Sequence, residues 1–150
     1  MAKKQRDIED AQIIANFVRT PTIKKVSHRH AAKYAAMADQ YPFLECDGLS
    51  NVIAYEMEKD GYEPVIKTGK VFFRKVPILF HNWIEVNHER FDYRLRMWFG
   101  DEAPHGNILS QEVGYYSYGV CSIPPKEVIE VLKTDPKEEY EQLKALFNEK

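Results

Sequence analysis

The stretch Phe80-His81-Asn82-Trp83-Ile84-Glu85-Val86, followed by Asn87-His88 and then by Arg90-Phe91-Asp92-Tyr93-Arg94, reads as two strands joined by a tight turn. Aromatic and β-branched residues fill both arms, and Asn favours turns. With a two-residue turn, Asp92 stands opposite Trp83 and diagonal to His81 on the same face. Diagonal neighbours in an antiparallel pair lie about 7–8 Å apart at the backbone, within reach of long or aromatic side chains. A His and an Asp so placed share a hydrogen bond that sets the ring's tautomer and supports its charged form. A three-residue turn would move Asp92 to the opposite face.

Outward from this hairpin, Glu63 to Arg96 is rich in Val, Ile, Phe, Tyr and Trp. Gly69, Pro77 and Asn87-His88 act as breaks, which predicts three or four strands. Upstream the pattern is helical. Ile8, Ala11, Ile14, Ala15 and Val18 form a stripe over Arg6 to Arg19 that Pro21 stops. A second helix is expected from His28 to about Asp39, capped by Ser27, with Ala31, Tyr34, Ala35 and Ala38 inward. A third starts at Cys46 and ends before Gly61, its apolar row being Leu49, Val52, Ile53 and Met57. Downstream, Phe99 to Ser110 reads as a loop and Val113 to Ile123 as a further strand. Pro124-Pro125 opens a short helix. Asp135-Pro136-Lys137-Glu138 caps a last one, with Tyr140, Leu143, Leu146 and Phe147 as its buried face. The expected class is α+β in one domain over 1–150: N-terminal helices, a central antiparallel sheet and C-terminal helices.

Composition excludes several classes. With 44% hydrophobic and 29% charged residues in 150, the chain has enough apolar surface for one core and is neither disordered nor low in complexity. The formal net charge of −2 announces no polyanionic partner. Lys24, Lys25, His28, Arg29, His30 and Lys33 form a basic cluster without interleaved aromatic residues, so it reads as a solvated helix face, not a nucleic-acid platform. No apolar stretch approaches the ~20 residues of a membrane span. Met-Ala-Lys-Lys-Gln-Arg-Asp has no apolar run behind its charges, so no secretory signal is expected. Cys46 and Cys121 make no disulfide framework, and a cytoplasmic protein with free thiols is the expectation.

Glu45-Cys46-Asp47-Gly48-Leu49-Ser50 puts a cysteine in the opening turn of a predicted helix. Unpaired backbone N–H groups and the helix dipole favour an anion there, hence a thiolate; the alternative is a small apolar core thiol. Cys46 on a helix start, His81 on a strand and Asp92 on the next strand supply nucleophile, base and orienter in the order that thiol catalysis needs.

The run through Cys46, Leu49, Tyr55, Gly61, Val65, Gly69, His81, Trp83, Glu85, Val86 and Asp92 resembles the core of the transglutaminase-like branch of the papain-like cysteine enzymes. Its most specific part is His81-Asn82-Trp83-Ile84-Glu85-Val86. The family commonly has Pro-Thr where this chain has Tyr93-Arg94, and often Ala at Asn82. The resemblance implies a papain-like fold and a thiol hydrolase or acyltransferase acting on an amide or peptide. Cys46, His81 and Asp92 would be its triad, with no metal or organic cofactor and a peptide or protein as substrate. Gln40, six residues before Cys46, holds the spacing at which papain-like peptidases keep an oxyanion-hole glutamine; a surface amide is the alternative. Trp83 and His105, the latter in the loop after the sheet, are further candidates for lining the substrate pocket.

Three other readings stay open. The turn at Cys46 also resembles that of NlpC-type peptidoglycan endopeptidases, although their His-Val-Gly strand is missing. A catalytically inactive domain of the same fold would serve as a protein-binding module. A nucleic-acid adaptor would use Lys24 to Lys33. His28 and His30, two residues apart on a helix, point to different faces and make a poor metal pair.

Overall fold

The computed structural model describes residues 25–148, so the helix expected over Arg6 to Arg19 lies outside the described residues. Within them the fold is α+β, with five helices and one five-stranded antiparallel sheet. Helix α1 spans His28–Gln40 and α2 spans Cys46–Lys59. Ser27 caps α1 as expected, its Oγ accepting from the His30 N–H at 3.1 Å. Beyond α2, Gly61 takes a φ of +93°, the left-handed backbone that glycine adopts without a Cβ clash.

Strands β1 (Val65–Phe73), β2 (Val76–Val86) and β3 (Glu89–Asp92) follow as two hairpins. Both turns have two residues with positive φ: Arg74 and Lys75 at 49° and 70°, Asn87 and His88 at 50° and 65°. Such turns match the right-handed twist of the strands they join. The second was expected from its Asn; the first was not, because neither Arg nor Lys advertises positive φ. The two-residue turn at Asn87-His88 pairs Ile84 with Phe91 and Glu85 with Arg90.

Gly69 and Pro77 are not breaks but lie inside strands, a correction to the sequence reading. At Pro77 the strand has β1 on one side only, since β3 pairs no further than Ile84, so a residue without an N–H is tolerated there. Gly69 sits where backbones crowd: a Cβ built on it would lie 2.0 Å from the Tyr116 carbonyl oxygen. Leu95 and Arg96, read as strand, belong to the short helix α3 (Leu95–Phe99). The following loop contains β4 (Gly106–Asn107), which pairs with β3, and β5 (Val113–Cys121) pairs with β1. The sheet order is therefore β4-β3-β2-β1-β5.

Apolar clusters form on both faces. On one, Tyr34 of α1, Val52, Ile53, Ala54 and Met57 of α2, and Ile129 of α4 (Lys126–Leu132) pack on Ile66, Ile84, Val86 and Phe91. On the other, Val71, Phe73, Trp83 and Val113 meet Leu95, Ala103 and Ile108. The last helix, α5 (Pro136–Asn148), starts where expected, with the Asp135 carboxylate accepting from the Lys137 N–H at 2.9 Å. Its apolar row is not buried, however. Tyr140, Leu143, Leu146 and Phe147 are 49–73% exposed, because α5 extends past the sheet instead of packing on it. Among the described residues no helix is long and apolar enough to cross a membrane.

Candidate active site

Two irregularities in the sheet shape the region around Cys46. Gly69 pairs with His81 but Val71 with Ile78, so β2 carries one extra residue at Leu79-Phe80. Thr68 pairs with Gly119 but Gly69 with Ser117, so Tyr118 is extra in β5. Bulges of this kind re-aim side chains and recur beside active sites. The bulge in β2 turns His81 inward with Trp83, while Phe80 stays outside, its ring edge-on to Tyr118 at 6.0 Å.

His81 is 1% exposed and Asp92 2%. The His81 Nε2–H donates to Asp92 Oδ2 at 2.8 Å, the contact that the two-residue turn predicts. The Tyr115 hydroxyl donates to the same oxygen at 2.9 Å, and the Arg94 backbone N–H to Oδ1 at 3.1 Å. Both carboxylate oxygens are thus held, and with them the ring. His81 Nδ1 closes no hydrogen bond with any protein atom. Cys46 opens into the same cleft of about 280 Å³ as His81, and catalytic contacts in unliganded sites are often poorly aligned.

Burial alone would lower the His81 pKa, but the hydrogen bond to Asp92 and the electrostatic influence of Asp92 and Cys46 raise it to about 9. The ring is therefore an imidazolium at neutral pH. Its raised pKa stabilises the fold fully below about 6.5, and that stability is lost as pH rises through about 9. A shift of this size corresponds to a few kcal/mol, on the order of 3. Thermal melts should therefore fall between pH 6.5 and 9, and His81→Gln should flatten that decline. An equally steep decline in the variant would mean that other groups cause it.

A packed frame stands behind the pair. Trp83, 1% exposed, lies 4.7 Å from the Tyr115 ring and donates its indole N–H to Glu85 Oε1 at 3.2 Å. The same oxygen accepts from Arg90 Nη2 at 3.1 Å, and the Arg90 guanidinium lies over the Tyr115 ring at 4.2 Å. Trp83 is thus a support, and it does not line the cleft at Cys46. Arg94 ties the helices to the hairpin: its guanidinium donates to the carbonyls of Leu44 at 2.7 Å, Ala38 at 3.0 Å and Tyr41 at 2.9 Å. This fixes the segment leading into Cys46 against the residue two beyond Asp92.

Other candidates fall elsewhere. Gln40 is exposed at the C-terminal end of α1 and lines neither cleft that contains Cys46. His105 is partly buried in a second cleft with Asp39, Pro42, Tyr93, Arg94 and Arg96, its ring edge-on to Tyr93 at 5.3 Å. Burial, then Arg96, lowers its pKa. Of the basic cluster, Lys33 pairs with Glu56 at 2.8 Å and Asp60 at 2.9 Å, and His30 Nδ1 with the Tyr62 hydroxyl at 2.7 Å. Among the described residues no group of three or more His, Cys, Asp or Glu is placed to hold a metal ion.

Sequence reasoning missed Tyr115 and Arg94. No local signal marks Tyr115, which comes from a strand 23 residues after Asp92. Arg94 stood in the quoted hairpin, but only folding brings carbonyls 50 or more residues away to it. The Glu85–Arg90 pair was readable, since the two-residue turn sets them directly opposite. The chain matches no protein-family model, and no curated protein or solved structure is recognisably similar to it.

Proposed function

We propose that this chain is a thiol-dependent hydrolase or acyltransferase acting on an amide or peptide, with a papain-like, transglutaminase-like core. The observation that carries the reading is the buried His81–Asp92 pair, held at Nε2 and lining the same cleft as Cys46. A helix that begins at the nucleophile, followed by a hairpin bearing His and then Asp, supports the papain-like assignment.

The chemistry follows from the geometry. The positive charge on His81 favours an anionic Cys46 sulfur. That sulfur attacks the carbonyl carbon, and the carbonyl π electrons move to oxygen. The Cys46 backbone N–H, unpaired at the helix start, can donate to that oxyanion. His81 gives its Nδ1 proton to the leaving amine as the C–N bond breaks, which leaves a thioester. Water or an amine then attacks the thioester while His81 takes up a proton, and the sulfur leaves as thiolate. Asp92 keeps the Nε2 proton in place and orients the ring throughout.

The test compares the two thiols, both partly accessible. Iodoacetamide at about pH 6 should label Cys46 well before Cys121, read by peptide mass spectrometry. Equal slow labelling, or faster labelling of Cys121, would overturn the reading and leave an inactive binding domain of the same fold in its place.

A further inference from the structure

The cleft in front of Cys46 and His81 has a distinct chemistry. Its outer walls include Phe80 and Trp98, which are 76% and 55% exposed. Its remaining charged lining is Glu45 and Asp47, with no Lys or Arg. Both carboxylates are exposed, Asp47 Oδ1 accepts from the Gly48 N–H at 2.8 Å, and among the described residues neither forms an ion pair. His81 lines the same cleft, its side chain 0% exposed and its Nε2–H donated to Asp92.

Large aromatic side chains are rarely left this exposed in a single cluster without a function. Here the fold holds one of them outward deliberately: the β2 bulge directs Phe80 away from the core, and Tyr118 props its ring while its own hydroxyl donates to the Leu79 carbonyl at 3.1 Å. A purely apolar ligand group would draw nothing from the charge of Glu45 and Asp47, and a small cation would leave the two aromatic walls wet. A long basic side chain satisfies both, with its methylenes along the rings and its charge at the carboxylates.

We infer that the substrate is a peptide bearing an Arg or Lys side chain beside the attacked carbonyl, its stem on Phe80 and Trp98 and its cation at Glu45 and Asp47. This rests on the thiol-hydrolase reading, and the two can fail separately. The probes are acetylated arginine, leucine and glutamate chloromethyl ketones, with Cys46 alkylation followed by mass spectrometry. Each reagent's rate is divided by its rate with glutathione to remove intrinsic reactivity. The arginine reagent should exceed the leucine reagent about tenfold or more and the glutamate reagent by more than that. Glu45→Gln with Asp47→Asn should bring the arginine-to-leucine ratio close to one. Phe80→Ser should slow the arginine and leucine reagents alike. A wild-type ratio of one or below, or a ratio that the double variant leaves unchanged, overturns the inference. If Cys46 is no more reactive than Cys121 toward iodoacetamide, it is the hydrolase reading that fails.

Discussion

His81→Gln is expected to slow iodoacetamide alkylation of Cys46 at about pH 6 by about tenfold or more, and turnover of any substrate by about 10²–10⁴. Glutamine retains an amide N–H that can donate to Asp92, which otherwise keeps only the Tyr115 hydroxyl and the Arg94 N–H as donors. It can neither carry the positive charge that His81 holds with a pKa of about 9 nor return a proton to a leaving group. Glutamine is preferred to alanine here because His81 and Asp92 are both buried. Removing one partner outright leaves the other uncompensated, at a cost of about 3–5 kcal/mol. Buried and bonded to Asp92, His81 has a structural part beside the chemical one proposed for it. An alkylation rate within about twofold of wild type would show that His81 does not activate the sulfur.

Trp83→Ala should cost about 3–5 kcal/mol in denaturant unfolding. The ring is 1% exposed in the cluster with Val71, Phe73, Leu95 and Val113, and its loss opens a cavity that this face cannot close. It also removes the wall against which Tyr115 rests at 4.7 Å, so alkylation of Cys46 should slow as well. Trp98→Ala, at a residue 55% exposed, should change stability by less than about 0.5 kcal/mol. A loss below about 1 kcal/mol at Trp83 would mean that the frame holds without its indole.

Much of the local structure was legible because its causes are local. Ser27 before a periodic apolar row starts α1, and Gly61 ends α2 because the backbone there needs positive φ. The Asn87-His88 turn, once taken as two residues, sets the register and puts Asp92 on the face of His81, since side chains alternate with period two. Asp135 and Pro136 likewise announce α5.

What tertiary structure decided has causes distant in sequence. The bulges that turn His81 inward and Phe80 outward arise where β1 meets two partners of unequal count around Gly69, and pairing is not encoded in any one strand. Tyr115 reaches Asp92 only because β5 docks beside β1 instead of following β4. The exposed row on α5 shows the same limit in reverse. Amphipathic spacing establishes that a helix has an apolar face, but whether another surface covers that face depends on where the rest of the chain goes.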